Sequence, residues 1–293
     1  MKKSFLVLFT ILFIDNIYAQ LPDTDIFISE MTISDGIYSF SQPINMTRRK
    51  GYDNQPAFSA DGTSFYFVAI NKDTTQSDIY QCDLSTKIIK PFTRTPTSEY
   101  SPKITPNGKG LSVVRVDADS GQRFYVIPLS NGRVAHHFDH TDSIGYYAWI
   151  NDSTLAMFVL GEPPTLQLVE LGSGKKKVLA SSIGRCLKST SDGKLLYFVD
   201  KSDSSQWIIR RYESESGAFS TIVPTLKRSE DFELLSDGTL LTGNEGKLYT
   251  YSETSGTWVF CADFQKTVND FYRIVADPTG KRIALVAFTG EKP

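Results

Sequence analysis

Short apolar runs, each bounded by a polar turn, recur along most of the chain. The clearest run is Ser64-Phe-Tyr-Phe-Val-Ala69, which follows the turn Asp61-Gly62 and precedes a second run, Asp78-Ile-Tyr-Gln-Cys82. Short runs rich in β-branched and aromatic residues are typical of strands. An Asp-Gly pair between two such runs indicates a hairpin, because glycine accepts the positive φ of a tight turn. The pattern therefore predicts an all-β chain.

The turn recurs at nearly even spacing. Its second residue is found at Gly62, Gly108, Ser153, Gly193, Gly238 and Gly280. The intervals are 46, 45, 40, 45 and 42 residues, inside or close to the roughly 40–50 residues of propeller repeats. The spacing favours a β-propeller. The alternative is an open β-sandwich with coincidental turns, but a sandwich gives no reason for even spacing.

Each full repeat has room for four strands, as residues 55–59, 64–69, 78–82 and 87–92 show. The sixth repeat contains only two predicted strands, at residues 271–275 and 281–287. The missing half precedes the first full repeat, at residues 25–29 and 37–40. We therefore expect six blades of four antiparallel strands, with the last blade closed by N-terminal outer strands and C-terminal inner strands. Such closure removes exposed strand edges.

One stretch carries a family resemblance. The run Asn54-Gln-Pro-Ala-Phe-Ser-Ala-Asp-Gly62, followed by Phe65-Tyr-Phe-Val-Ala69 and Asp78-Ile-Tyr80, resembles the TolB-like, WD40-like repeat called PD40. The resemblance is clearest in this repeat and covers nearly all of the chain after residue 19. It implies a propeller and an association with cell-envelope complexes. Peptidase relatives join a propeller to a hydrolase domain, but the chain has no Gly-x-Ser-x-Gly elbow, so peptidase activity does not carry over.

The first residues have the pattern of an export signal. Lys2 and Lys3 precede an apolar run at residues 5–14, and Ala19 ends a suitable cleavage site. We expect a cleaved signal peptide at residues 1–19, a single propeller domain at residues 20–293, and a periplasmic or secreted protein. No cysteine lies at the cleavage point, which argues against a lipid-anchored lipoprotein. No second apolar stretch reaches spanning length, so no membrane span is expected.

Charge and cysteine content narrow the function classes. The chain has 31 Lys and Arg against 33 Asp and Glu, a net charge of −2, which does not resemble the basic footprint of a nucleic-acid binder. Cys82, Cys186 and Cys261 lie in different repeats. An odd count cannot form a complete disulfide framework, so we expect partly buried free thiols. A single disulfide remains an alternative.

The segments that lead into the innermost strand of each blade converge on one mouth of a propeller channel, the usual place for a ligand. The candidate binding residues there are Tyr52, Asp53, Asn54, Glu99, Tyr100, Asp142, Arg185, Glu230, Asp231, Asp270 and Tyr272. They predict a rim of carboxylates and aromatic rings suited to a cation, a basic peptide or a sugar-like ligand. The alternative is that acidic and amide residues simply favour turns.

All three histidines lie in the run His136-His137-Phe138-Asp139-His140. Because neighbouring residues on a strand point to opposite faces, His136 and His137 cannot both bind one ion without a bend. His136, His140 and Asp142 are therefore weak metal candidates. The simpler interpretation is a solvated polar strand end.

Two functions follow. The first is an exported, non-catalytic binding module, a monomer without a cofactor, that engages a protein or peptide partner in the cell envelope. The second is a lactonase-like hydrolase or lyase assisted by calcium, a cation that prefers oxygen ligands. Its candidate ligands are Asn54, Glu99, Asp142, Asp231 and Asp270.

Overall fold

The computed structural model describes residues 21–71, 76–133, 136–138, 142–227 and 229–290. Among these residues the regular secondary structure consists of β-strands alone. The predicted signal peptide at residues 1–19 and the metal candidate His140 lie outside the described residues. In the part of the chain that the structure describes, no helix has the length and apolarity needed to cross a membrane.

The strands are short and follow one another along the described chain. In chain order they are β1 (Thr24–Ser34), β2 (Ile37–Phe40), β3 (Ile44–Asn45), β4 (Gly51–Phe58), β5 (Ser64–Asn71), β6 (Ser77–Asp83), β7 (Ile89–Pro91), β8 (Ser98–Ile104), β9 (Gly110–Val116), β10 (Gln122–Pro128), β11 (His136–His137), β12 (Ile144–Asn151), β13 (Thr154–Val159), β14 (Thr165–Glu170), β15 (Lys176–Ser181), β16 (Ile183–Ser189), β17 (Leu195–Asp200), β18 (Ile208–Glu213), β19 (Phe219–Pro224), β20 (Phe232–Leu234), β21 (Leu240–Asn244), β22 (Lys247–Tyr251), β23 (Val259–Asp263), β24 (Phe271–Ala276) and β25 (Arg282–Phe288).

Most strands pair with their neighbours in sequence. Strands β8–β11, β12–β15, β16–β19 and β20–β23 form four separate four-stranded sheets, and all pairs within them are antiparallel. The remaining strands form a nine-stranded sheet. A single parallel pair, Thr24 with Tyr52, joins its two halves. One half is β4–β7, and the other, which we call the closing group, contains β24, β25, β1, β2 and β3.

The closing group unites the two ends of the described chain. Strand β1 runs antiparallel to β25 from Thr24 opposite Phe288 to Glu30 opposite Arg282. The outer side of β1 carries β3 along its first half and β2 along its second half. The predicted closure of the last blade by N-terminal outer and C-terminal inner strands is therefore present. Two short strands, β2 and β3, share the outermost position of this blade. Strand β1 has 11 residues and is longer than the predicted strand, so each of the two pairs with only part of it.

Polar contacts join each group of strands to the next. Tyr147 Oη donates to Ser101 O (2.9 Å), the amide of Ser101 donates to Gln55 Oε1 (2.6 Å), Ser189 Oγ donates to Trp149 O, the amide of Phe232 donates to Cys186 Sγ (3.4 Å), the amide of Ala276 donates to Glu233 Oε2 (3.0 Å), and Thr24 Oγ1 donates to Asp53 O (2.9 Å). These contacts run around a ring, the architecture of a β-propeller. With the nine-stranded sheet divided at its single parallel pair, the described strands fall into six groups.

The second strand of a group is buried on both faces. In β5, Phe65 and Phe67 pack with the buried Ile26 of the closing group. Its intervening residues Tyr66 and Val68 pack with a different cluster that includes Leu111 and Val113 of β9. A strand that lies between two neighbouring sheets needs apolar residues on both sides. The continuous apolar run in the sequence has this cause.

The turn signature is stabilised by its own side chains. In the first turn, Ser59 Oγ and the amide of Thr63 donate to Asp61 Oδ1 over 2.6 and 3.1 Å, and Gly62 adopts a φ of +67°. The fourth turn repeats the pattern, with Thr190 Oγ1 donating to Asp192 Oδ1 over 2.6 Å. An acidic side chain that binds nearby backbone amides favours a turn. The signature is therefore a feature of local folding.

All three cysteines are free thiols. Cys82 and Cys186 are buried, and Cys261 is half-buried. Burial raises the pKa of the Cys82 thiol to about 11 and that of Cys186 to about 12. The expectation of buried free thiols is confirmed, and the alternative of a single disulfide is not found.

Truncating Ile26 tests the closure. Ile26 is fully buried between the closing group and β5, whereas Ile37 of β2 is 69 % exposed. Ile26→Ala should lower the free energy of unfolding by about 2–5 kcal/mol, since the change leaves a cavity in the core. The same change at Ile37 should cost less than about 0.5 kcal/mol. Urea denaturation measures both, and equal losses would contradict the described packing.

Candidate functional site

The innermost strands surround a small cavity at the centre of the ring, which we call the central cavity. It has a volume of about 70 Å³, space for roughly two water molecules. Its walls come from β4, β8, β12, β16 and β24, together with Asp231 just before β20. Every group of strands therefore contributes to one site.

The innermost strands are irregular beside this cavity. Their pairing with the second strand shifts register between Asn54 and Ala57 and between Tyr100 and Lys103. Gln55 and Ser101 lie within these shifts, and each adopts a φ of +53°. Bulges re-aim side chains and are common beside functional sites. Here the shifts lie where the strands line the cavity.

Two positions of the repeat account for most of the cavity's polar lining. The first is the position seven residues before the second turn residue of each repeat, which is occupied by Gln55, Ser101, Tyr146, Cys186, Asp231 and Arg273. The second is the position five residues before that turn residue, which is occupied by Ala57, Lys103, Ala148, Lys188, Glu233 and Val275. Residues two apart on a strand point to the same face. Aligning the repeats on their turns would have revealed the charges at Lys103, Lys188, Glu233 and Arg273, which the sequence prediction missed.

Asp231 is held between two arginines. Its Oδ1 lies 3.1 Å from Arg185 Nε, and its Oδ2 lies 3.4 Å from Arg273 Nε. Burial is the largest single effect on both guanidinium groups and lowers both pKa values. Asp231 opposes it most, and with Glu230 and Tyr146 at Arg185 and with Tyr146 and Tyr52 at Arg273 the net direction of both pKa values is upward. The predicted binding residue Asp231 thus lies in an ion-paired centre.

Lys188 has a carboxylate partner of its own. Its Nζ lies 2.6 Å from Glu233 Oε2. Glu233 also accepts the amides of Leu234 and Ala276, over 2.8 and 3.0 Å. Burial lowers the pKa of Lys188, and Glu233 more than restores it, so the net direction is upward. Glu233 is fully engaged by these donors.

Lys103 is the cation without a carboxylate. Among the described residues it makes no ion pair, and its ammonium lies 5.9 Å from the centre of the Tyr147 ring. Burial, and then the charges of Lys188 and Arg273, lower its pKa to about 8, and the more distant charge of Glu233 opposes this shift. The central cavity therefore has four cations, Lys103, Arg185, Lys188 and Arg273. They face the carboxylates of Asp231 and Glu233 and, at Arg185, that of Glu230.

A larger cleft, which we call the mouth cleft, adjoins this cavity and shares Arg185 with it. Its volume is about 490 Å³. It is lined by Arg185, Trp207, Lys227, Ser229, Glu230, Gly243, Asn244, Glu245, Asp270, Phe271 and Tyr272. The structure thus brings together four predicted residues, Arg185, Glu230, Asp270 and Tyr272. Trp207 and Lys227 were not predicted, because they come from segments outside the innermost strands.

Two glycines allow the close packing of the cleft. A Cβ at Gly184 would lie 2.6 Å from Glu230 Oε1, the oxygen that accepts the amide of Arg185 over 2.6 Å. A Cβ at Gly243 would lie 2.0 Å from the Phe271 ring. Both distances are shorter than side-chain contacts allow. Because glycine has no side chain, Gly184 and Gly243 leave the space that Glu230 and Phe271 occupy.

The remaining predicted binding residues line neither space. Tyr52 and Tyr100 pack against apolar clusters, Asn54 Nδ2 donates to Tyr272 Oη over 2.5 Å, and Asp142 is an exposed loop residue. Asp53 and Glu99 are fully buried. The expectation of a solvent-facing acidic rim is therefore wrong for Asp53 and Glu99. Strands β4 and β8 begin at Gly51 and Ser98 and include them.

Asp53 and Glu99 occupy the same place in successive repeats but have different partners. Asp53 accepts two hydrogen bonds of 2.7 and 2.9 Å from the Arg49 guanidinium. Glu99 accepts from the hydroxyls of Thr93 (3.0 Å) and Thr95. Thr95 stands where the preceding repeat has Arg49. No cation replaces that arginine at hydrogen-bonding distance.

The missing arginine affects the titration of Glu99. Burial raises the pKa of Glu99 to about 7. The two threonine hydroxyls and the more distant Arg115 oppose this shift, and Asp78 adds to it. Burial also raises the pKa of Asp53, but Arg49 opposes that shift directly.

The histidine segment gives no metal centre among the described residues. His136 is an exposed residue of β11, and its ring packs edge-on against Phe138. His140 and the side chain of His137 are not described. In the described ranges, no three His, Cys, Asp or Glu side chains are grouped as metal ligands.

Solved structures with this fold include TolB of Acinetobacter baumannii, at 16 % identity and a TM-score of 0.61, where the match covers 90 % of this chain and 64 % of that chain. A putative TolB of Agrobacterium tumefaciens matches at 12 % identity and a TM-score of 0.67, over 92 % of this chain and 99 % of that chain. An oligogalacturonate lyase of Vibrio parahaemolyticus matches at 13 % identity and a TM-score of 0.57, over 86 % and 83 %.

These likenesses confirm the class of fold, a TolB-like β-propeller. The chain spans about two thirds of the Acinetobacter protein that it matches. No family model matches the sequence, and no curated protein does. At these identities the neighbours show the fold alone.

Glu99 predicts a pH-dependent stability. Between about pH 4.5 and about pH 7 the native state binds more protons than the unfolded state, because its Glu99 has the higher pKa. Raising the pH across this window should therefore lower the free energy of unfolding, by about 3 kcal/mol in total. Glu99→Gln should remove this component in urea denaturation at several pH values.

The exposed Glu253 provides the matched control, since its side chain is 64 % accessible. Glu253→Gln should keep the pH dependence of the wild type. A wild-type curve that parallels the Glu99→Gln curve over the whole window would contradict the assignment.

Replacing two aspartates of the predicted rim by asparagine should have very different effects on stability. Asp231→Asn removes the carboxylate that pairs with Arg273 and leaves Arg185 with Glu230 alone, so it should cost about 3–5 kcal/mol. Asp142, whose side chain is 60 % accessible, should tolerate the same change within about 0.5 kcal/mol. Thermal and urea unfolding test both, and a neutral Asp231→Asn would contradict the ion-paired centre.

Proposed function

We propose that the protein is an exported, non-catalytic binding propeller that receives a protein or peptide partner at the mouth cleft. The observation that carries this proposal is the convergence of all innermost strands on one cavity, with a larger polar cleft beside it. The pattern of residues 1–19 supports export. The TolB-like fold supports a binding role by analogy only.

The cleft offers the groups that recognise a protein chain. Trp207 provides an aromatic surface, and the ammonium of Lys201 lies 3.8 Å from the centre of its ring. Lys201 also contacts Glu230 over 3.2 Å, which fixes the carboxylate at the rim of the cleft. Aromatic and charged anchors of this kind carry most of the binding energy at interfaces. Their fixed positions lower the entropy lost on binding.

The chemistry of the central cavity supports binding over catalysis. Asp231 and Glu233 are engaged by arginine and lysine side chains. The thiol of Cys186 has a pKa of about 12 because it is buried, so it is not a thiolate near neutral pH. A nucleophile needs an adjacent base or a lowered pKa. Neither Cys186 nor the two carboxylates has these features.

Binding is tested by affinity capture from envelope extracts with chemical cross-linking, using the mature chain. Trp207→Ala should abolish capture of the partner, since it removes the aromatic surface of the cleft. Phe260→Ala is the matched control, because Phe260 is an exposed aromatic residue of the outer strand β23. A partner captured equally by both variants, or none after repeated cross-linking, would contradict the proposal.

A metal-assisted hydrolase or lyase is the second candidate, and the fold shared with an oligogalacturonate lyase favours it. The described residues do not fit the predicted calcium site. Asp231 is occupied by arginines, Glu99 by threonine hydroxyls, and Asn54 by Tyr272.

Elemental analysis and a melting curve with a chelator test this second candidate. One equivalent of metal in the purified protein, together with a lower melting temperature after chelation, would support it. Metal-free protein with unchanged melting would reject it.

A further inference from the structure

We propose that the central cavity binds a small oxyanion group, a carboxylate or a phosphate, and that Lys103, Ser101 and Arg273 hold it. This inference rests on the proposed function, because the partner bound at the mouth cleft is the ligand that carries the oxyanion group into the central cavity. It reverses the charge expected from the sequence, which predicted an acidic rim suited to cations.

The first argument is the charge balance. Of the cations at the cavity, Arg185 and Arg273 share Asp231, Arg185 also pairs with Glu230 over 3.8 Å, and Lys188 has Glu233. Glu233 already accepts three donors, so it has little capacity for another cation. Among the described residues, no carboxylate is left for Lys103. Lys103 is half-buried, and a cation that is partly removed from water without a partner is costly unless a counter-ion comes from outside.

The second argument is a set of donors without acceptors. Ser101 is 5 % exposed, and its Oγ has no hydrogen-bond partner within the described chain. The Nε of Arg273 is also buried and makes no hydrogen bond, although its ion-pair partner Asp231 Oδ2 lies 3.4 Å away. Both residues line the central cavity, as does Lys103. Buried polar groups are nearly always paired, and an unpaired group therefore calls for an explanation such as a bound ligand.

The third argument is the fit of the space. A volume of about 70 Å³ holds a carboxylate or phosphate group but not a whole residue or sugar ring. Ser101 and Arg273 come from the same position of the repeat, on β8 and β24, so donors approach from different strands. Charge-assisted hydrogen bonds from arginine and lysine to an oxyanion are among the strongest in proteins. Arg185, which lines both spaces, marks the way in from the mouth cleft.

Direct titration tests the site. Inorganic phosphate and acetate are titrated separately into the mature chain at about pH 7, with isothermal calorimetry and lysine side-chain NMR as readouts. Saturable binding of either probe supports the proposal, and the two arms distinguish phosphate from carboxylate recognition. Lys103→Met should weaken the binding by roughly tenfold or more, the effect of losing one charge-assisted contact.

Lys175→Met is the matched control, because Lys175 is a surface lysine with a 76 % accessible side chain. It should bind the probe as the wild type does. Should Lys103→Met fail to fold, Lys103→Gln and the wild-type NMR titration decide. Saturating probe should raise the pKa of Lys103 from about 8 toward the ordinary lysine value of 10.5.

The pH dependence separates this site from a nonspecific surface effect. Deprotonation of Lys103 removes the charge that attracts the anion, so the affinity should fall as the pH rises through about 8. The fall should approach tenfold per pH unit above that value, as linkage to one proton requires. Lys103→Met should lose this dependence.

The outcomes are distinguishable from those of the proposed function. No saturable binding, or equal affinity in the wild type and Lys103→Met, overturns the oxyanion site even if Trp207→Ala abolishes partner capture. Probe binding that depends on Lys103 sustains the site even if no partner is captured.

Discussion

The pairing of β1 with β25 is the interaction on which the rest of the structure depends. It joins the two ends of the described chain over residues 24–30 and 282–288, and it gives β25 a partner on its outer edge. Because each group of strands packs its apolar core against its two neighbours, the ring has a continuous core only when this pair forms. The central cavity exists for the same reason, since its walls come from every innermost strand.

Closure also creates an electrostatic problem at the centre. Six innermost strands bring polar residues into one small space, where their charges lie close together and interact. Two solutions are visible. Asp231, Glu233 and Glu230 neutralise Arg185, Arg273 and Lys188 through direct contacts. Lys103 is left with a lowered pKa. The same contrast recurs at the interface of successive repeats, where Asp53 has Arg49 and Glu99 has only hydroxyls.

The sequence predicted much of the fold, because the relevant signals are local. Asp61 and Gly62 shape their turn through side-chain contacts within a few residues, and the continuous run in β5 reflects burial on both faces. The site was predicted less well. Whether Glu99 is exposed or buried depends on where β8 begins and on its neighbours Thr93 and Thr95. The pairing of Arg273 with Asp231 joins residues from two repeats, which no local pattern encodes. Aligning the repeats would have located Lys103 and Lys188, but not which of them lacks a partner.

The central claim is that the ring encloses a cationic site in which Lys103 has no carboxylate partner. The most direct measurement is an NMR titration of the lysine side chains in the ligand-free protein. Lys103, identified by its loss in Lys103→Met, should titrate near pH 8, and exposed lysines such as Lys175 should titrate near the ordinary value of 10.5. A Lys103 that titrates with the surface lysines would contradict the account, because it would mean that the charge is solvated or paired.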